Sequence, residues 1–400
     1  MTATYLLLTA FAIGHVTHTI LLLNVAHGHG MNLPWMDRAV FAGVALFGLT
    51  GVVAGWSLSN TAWTEWPTVV RAYSVVCIGT VIVALPTITF ARSLRCRPPG
   101  ANRLRSRIID LASRHGLGSL IGPSGRAWLL RIPGNDAFRL QLNEWELTID
   151  SLPESLDGLT ILHLTDLHFA PTYSRRFFDE VIEAAIGDGA EPDLVMITGD
   201  FLDHDGAIDW VVPVLSRLRG RLGQFAILGN HDYRHDFRNL RRALRSAGFR
   251  TLEGRWTVLE IGENRVALGG TSYPWGKDLG LRDLPATEIR IVLSHSPDEV
   301  YKASKWGVDL MLCGHNHGGQ VRLPGFGPVL TPSRFSRRFD RGFFRVGETL
   351  MFVSQGIGAK DPIRIGCIPE VTRLVLKSRA TSLGLIDASR DDSLSNAGIS

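Results

Sequence analysis

Residues 194–203 read Leu-Val-Met-Ile-Thr-Gly-Asp-Phe-Leu-Asp. The run Leu194 to Thr198 has the length and apolarity of a strand buried on both faces. A glycine then ends it, and two carboxylates, Asp200 and Asp203, follow. The same pattern recurs on either side. Thr160 to Leu164 precedes Asp166-Leu167-His168, and Phe225 to Leu228 precedes Gly229-Asn230-His231-Asp232. Ile291 to Leu293 precedes His295, and Leu310 to Cys313 precedes Gly314-His315-Asn316-His317-Gly318-Gly319-Gln320. Leu350 to Ser354 is a further buried run, and Leu140 to Ile149 alternates as a half-buried strand does.

Helical periodicity separates several of these runs, at Arg176 to Ile186, Trp210 to Leu218 and Phe237 to Ser246. Trp256 to Ile261 and Arg265 to Leu268 read as a hairpin around Gly262-Glu263-Asn264. The mixture predicts an α/β sandwich with more than one sheet. The carboxyl ends of such strands converge on one crevice, so Asp, His and Asn side chains far apart in sequence would meet there. Imidazole with carboxylate and no thiolate suits Mn2+, Fe or Zn2+. The ligands are too many for one ion, and two divalent ions sharing a carboxylate fit better. Two cations about 3.5–4 Å apart can together lower the pKa of a water.

The five blocks, in the order DxH, GDxxD, GNHD/E, H and GHxH, resemble the calcineurin-like metallophosphoesterase superfamily. They span about Gly158 to Gln320. Ser294-His295-Ser296-Pro297-Asp298, the run continuing to Val321-Arg322-Leu323-Pro324, and Ser354-Gln355-Gly356-Ile357-Gly358 with Pro362-Ile363-Arg364 are similar to its membrane-anchored subgroup of bacterial phosphodiesterases and the transmembrane protein with metallophosphoesterase domain. The resemblance implies a four-layer αββα sandwich. It implies that Asp166, His168 and His317 hold one metal, that Asn230, His295 and His315 hold the other, and that Asp200 bridges them. His231 would stand over the substrate phosphorus, oriented by Asp203. As chemistry these roles are reasonable, with Asn230 a neutral oxygen ligand and His231 the proton donor to the leaving alkoxide. Burying so many polar groups without a metal would be costly. Arg322 and Arg364 are candidates for phosphate contact, with a structural carboxylate as the other reading. His163 reads as packed, Asp232 as a turn former, and His204, Asp205 and His235 as surface.

Composition divides the chain. Lys plus Arg is 42 and Asp plus Glu 38, a formal net charge of +4, too small an excess to indicate a nucleic-acid partner. Residues 1–91 hold only Asp37, Arg38, Glu65 and Arg71 as charged side chains. That is about 4% charged, against about 25% in the remainder. Three uncharged stretches, Tyr5 to Leu23, Ala39 to Leu58 and Ala72 to Phe90, each have the length of a membrane span, with Trp35, Trp56, Trp63 and Trp66 near their ends. The first lacks the basic flank and cleavage site of a signal peptide, and is expected to be retained. Arg92, Arg95, Arg97, Arg103, Arg105, Arg107 and Arg114 follow the third, so the positive-inside rule predicts a multi-pass membrane protein whose catalytic domain is cytoplasmic.

The expected organisation is therefore a membrane domain (1–91), a basic connector (92–139), a metallophosphoesterase domain (140–378) and a disordered tail (379–400). Within the connector, Leu104, Ile108 and Leu111 suggest a short amphipathic helix over Arg103 to His115, with a solvated flank as the alternative. His15 and His18, one helical turn apart in the first span, read as a metal, haem or proton site or as polar packing between helices. Four cysteines without paired spacing fit a reducing compartment.

Hydrolysis of a phosphate ester or pyrophosphate follows from the resemblance. A bilayer partner favours a lipid-linked substrate such as UDP-2,3-diacylglucosamine, as in lipid A assembly. The alternatives are a tethered broad-specificity phosphodiesterase or phosphoprotein phosphatase, or a non-catalytic membrane sensor. Oligomeric state is left open.

Overall fold

The structure, a computed structural model, describes residues 2–27, 34–59, 61–87, 89–90, 100–123, 127–280, 284–324 and 326–380. Arg92, Arg95, Arg97, His29 and the tail from Thr381 lie outside them.

Three helices come first: α1 (Thr2–His27), α2 (Pro34–Leu58) and α3 (Thr68–Gly79). α3 continues through a π-helical turn at Thr80–Ala84. That turn falls just before Pro86, whose missing N–H interrupts the regular ladder. Among the described residues, two helical stretches are long and apolar enough to cross a membrane, Tyr5–Val25 (21 residues, mean hydropathy 1.9) and Thr68–Thr87 (20 residues, 2.0). The middle apolar stretch, Ala42–Trp56, is shorter than the expected span.

His15 and His18 take the packing role. The Tyr73 hydroxyl lies 2.9 Å from His15 Nδ1 and 3.2 Å from His18 Nδ1, while His18 Nε2 meets Thr80 Oγ1 at 2.9 Å. Going up α1 from His15 to His18 goes up α3 from Tyr73 to Thr80, so those two helices are parallel. α2 lies against the same face, with Phe47 stacked on His15 at 4.6 Å.

The rest of the described chain forms two stacked sheets. Strands β1 (Ala101–Asp110), β2 (Arg139–Ile149), β3 (Thr160–Leu164), β4 (Leu194–Ile197), β5 (Gly223–Ala226) and β6 (Phe249–Thr251) belong to the first. The second contains β7 (Arg255–Ile261), β8 (Asn264–Thr271), β9 (Ile289–Ser294) and β10 (Leu310–Cys313). A small hairpin, β11 (Arg322–Leu323) and β12 (Gly327–Pro328), follows, and the second sheet is completed by β13 (Gly342–Val346) and β14 (Thr349–Val353). The last strand, β15 (Glu370–Ser378), returns to the first sheet, giving the order β1-β2-β15-β3-β4-β5-β6. The second runs β13-β14-β10-β9-β8-β7.

The continuous apolar runs are explained by the two-residue side-chain period of a strand buried on both faces. In β4, Leu194 and Met196 face the second sheet, while Val195 and Ile197 face helices α4 (Arg175–Ile186), α5 (Val211–Leu215) and α6 (Phe237–Ser246). In β10, Leu310 and Leu312 point between the sheets, while Met311 and Cys313 pack with Val300 and Ala303 of α7 (Val300–Lys305). The result is the expected helix–sheet–sheet–helix sandwich.

The connector expectation is corrected. Arg103 to Asp110 is not an amphipathic helix but part of β1, paired antiparallel with β2 from Ala101↔Leu147 to Asp110↔Arg139. Only Leu111–His115 of that stretch is helical. Leu104 and Ile108 are exposed, so no apolar face holds a helix there. Arg103 stacks on Trp145 of β2 at 4.7 Å, and Arg105 and Arg107 each pair with Asp188 at 3.0 Å. The strand thus joins the sheet that the expected boundary at residue 140 excluded.

Candidate metal centre

β3, β4 and β5 are parallel, as are β8, β9 and β10, and the chemistry-bearing loops leave their carboxyl ends. Backbone pairing continues past the strands and fixes these loops. Asp166 N–H donates to the Gly199 carbonyl and His168 N–H to that of Asp200, each at 2.9 Å. Asp232 is fully buried and accepts from the amides of Phe201 and Leu202, and from that of Gly229 at 2.8 Å, stapling two of the loops together. The Gly229 bond is the turn-forming role expected of it, and the bonds to Phe201 and Leu202 add a link between loops.

Asp166 (φ 53°), His168 (48°), Asp200 (56°), His315 (69°) and His317 (47°) all adopt left-handed backbone. Such conformations cost about 1–3 kcal/mol each in ordinary residues and gather at functional sites. Two glycines are required by contact. A Cβ on Gly229 would lie 2.1 Å from Asp200 Oδ1, and one on Gly314 would lie 2.3 Å from Asp166 Oδ2.

The side chains converge in three overlapping groups: Asp166, His168, Asp200 and His317; Asp200, His295 and His315; and His168, Asp203 and His231. Within each, the possible ligand atoms lie within 4.8 Å of one another. Asp200 Oδ2 is 3.6 Å from His168 Nε2 and 3.3 Å from His295 Nε2, so one oxygen faces both sides. Asn230 Oδ1 joins at 3.0 Å from His295 Nε2. All nine expected residues are therefore in one place. The donor set fits divalent ions of the hard-to-borderline kind: carboxylate, imidazole and amide oxygen.

The electrostatics agree with a site made for cations. Burial and the neighbouring Asp200 push the Asp166 carboxyl up, although His295 and His168 oppose this. Burial also opposes ionisation of Asp200, but His295, His231 and His168 together hold its carboxyl well below the usual range. Burial lowers His168 and His295, yet the facing carboxylates outweigh it and carry each up to about 9. His315 and His317 are held well below their ordinary value, chiefly by burial, and so stay neutral, whereas His168 and His295 carry protons that a bound cation would displace.

Several partners have no signature in sequence. Asp203 was expected to hold His231, and it accepts from Nδ1 of that ring. Its other oxygen accepts from His168 Nδ1 at 2.9 Å, a second role not foreseen. His295 Nδ1 donates to the Thr198 carbonyl at 2.7 Å. Trp275 covers the His315 ring, with centroids 4.9 Å apart. His163 is packed as expected, meeting Thr198 Oγ1 at 3.0 Å.

The two arginines differ from the substrate-contact expectation. Arg364 is fully buried and donates to the carbonyls of His317, Gln355 and Gly358, with Nη2 3.1 Å from His317 Nδ1. It backs His317 instead of facing an opening. Arg322 Nη1 pairs with Asp340 Oδ2 at 2.7 Å and also donates to the Gly318 carbonyl, the structural-carboxylate alternative.

Fold and site define a metal-dependent phosphoesterase, a hydrolase. Residues 159–319 match the family described as calcineurin-like phosphoesterase. The chain is 34% identical over 226 residues to the phosphodiesterase YaeI of Escherichia coli, a match covering 54% of this chain and 81% of that protein. It is 28% identical over 253 residues to the uncharacterized metallophosphoesterase YkuE of Bacillus subtilis, covering 60% and 86%. A transmembrane protein with metallophosphoesterase domain from Danio rerio is 29% identical over 252 residues, covering 58% and 56%. The chain belongs to the calcineurin-like metallophosphoesterase family.

Proposed function

We propose that this chain is a membrane-anchored phosphoesterase with two divalent ions, Mn2+ first and Fe or Zn2+ as the other choices. Asp166, His168 and His317 would hold one ion, Asn230, His295 and His315 the second, and Asp200 would be shared between them. The observation that carries this reading is the shared position of Asp200 Oδ2 between His168 and His295. Bound there, the ions would supply a nucleophilic hydroxide near neutral pH and offset phosphoryl charge. His231 is the more open group, its side chain 21% exposed, and Asp203 on its Nδ1 leaves Nε2 to protonate the departing oxygen. Asp203 serves as its positioning carboxylate.

Membrane anchoring is supported by α1 and α3, parallel helices with two stretches of spanning length. The arginines after α3 favour a cytoplasmic catalytic domain. A site tethered beside a bilayer favours an amphipathic or lipid-linked substrate, and a pyrophosphate such as that of UDP-2,3-diacylglucosamine is our specific choice.

The test is hydrolysis of bis-p-nitrophenyl phosphate with Mn2+ by wild type and by Asp200→Asn. Turnover in the first and its loss in the second support the reading; equal turnover rejects it. Mass spectrometry of membrane lipids and nucleotide conjugates after incubation with the enzyme then tests the substrate, and a C-terminal reporter fusion tests the side.

A further inference from the structure

Asn24 lies near the carboxyl end of α1, within the apolar segment, yet its side chain is fully buried and bonds residues over 300 positions away. Nδ2 donates to the Ile20 carbonyl at 2.8 Å and to the Val329 carbonyl at 2.7 Å. Oδ1 accepts from the Thr331 amide at 2.9 Å and its hydroxyl at 3.0 Å. Both donors and both lone pairs of the amide are used. No other side chain of that size offers the same set.

The strap it grips, residues 328–334, touches the metal centre. Val329 N–H donates to the Val321 carbonyl at 2.9 Å. Ser333 Oγ and Arg334 N bond Asp298, three residues beyond His295. Pro332, adjacent to the gripped Thr331, accepts at its carbonyl from His315 Nε2 at 3.1 Å. A neutral imidazole whose Nε2–H is given to a carbonyl keeps its lone pair on Nδ1. Partners of this kind fix both tautomer and orientation of a ligating histidine.

We propose that Asn24 is a positioning residue for the metal centre: it latches the strap from the apolar helix so that the Pro332 carbonyl holds His315 as a ligand. The inference rests on the metal-site reading above. It also makes α1 part of the catalytic machinery, beyond an anchor.

The test is Co2+ titration of the full chain in detergent micelles, followed by visible absorption. Asn24→Leu should weaken one of two Co2+ steps by about tenfold or more and shift its absorption band, while the other step stays as in wild type. Thr331→Val, which removes only a hydroxyl, should act the same way to a smaller extent, and it decides the matter should Asn24→Leu not fold. Thr9→Val, which alters a bond internal to α1, should leave both steps unchanged. Two unaltered steps in both latch variants, or two steps weakened equally, overturn the inference alone. A wild-type chain that takes up fewer than two Co2+ overturns the metal-site reading and this inference with it.

Discussion

Asp203 Oδ2 lies 2.9 Å from His168 Nδ1, so the carboxylate bonded to His231 also holds the His168 imidazole, a proposed metal ligand. The side chains of Asp203 and His168 are 5% and 2% exposed, and little water can replace that bond. The consequence separates Asp203 from His231. Asp203→Asn should weaken uptake of one metal about 10–100-fold in addition to lowering turnover. His231→Ala should lower turnover and leave metal uptake near wild type. Isothermal titration with Mn2+ on both variants checks this; equal metal affinity in the two would mean that Asp203 serves His231 alone.

Arg364 supplies a second contrast. It is fully buried behind His317, and its guanidinium donates to the His317, Gln355 and Gly358 carbonyls, so it fixes the backbone that carries the His317 ring. Lysine keeps the charge but cannot reproduce the planar fork. Arg364→Lys should therefore reduce metal affinity about tenfold while KM measured at saturating metal stays within about twofold. A large rise in KM with unchanged metal affinity would restore the substrate-contact role.

His163 gives a pH dependence away from the ligands. It is fully buried, and burial lowers its pKa from 6.5 to about 3. Above 6.5 both folded and unfolded forms are neutral, and its full contribution is present. As pH falls, the unfolded chain binds a proton that the folded ring refuses until about pH 3, so stability is lost across that window. The slope is about 1.4 kcal/mol per pH unit. Between pH 6.5 and pH 5, wild type should lose about 1.6 kcal/mol more than His163→Gln, measured by urea unfolding in detergent. Parallel losses in the two would remove His163 as the cause.

Legibility tracked how local the determining forces were. β3 at Thr160–Leu164 and α6 at Phe237–Ser246 have the bounds their patterns predict, because burial on both faces or on one helical stripe writes itself into consecutive residues. β15 was not read from sequence. Its Thr372, Arg373 and Lys377 interrupt the apolar pattern, and its place between β2 and β3 is set by partners about two hundred residues away. β1 was misread because Leu104, Ile108 and Leu111 have helical spacing, while pairing with β2 decides the conformation. At the site, residue types and strand-end positions placed all nine groups together. The Thr198 and Pro332 carbonyls and the Asn24 latch could not be read, because a backbone oxygen carries no residue identity and a contact across 305 positions leaves no spacing.

Asp200 is proposed to sit between two ions. The most direct test is metal content of the purified full chain, wild type against Asp200→Asn, by anomalous diffraction at the manganese edge. Two peaks are expected in wild type, on either side of Asp200 Oδ2, and at most one in the variant. One peak in a fully active wild-type enzyme, or two undiminished peaks in Asp200→Asn, would contradict it.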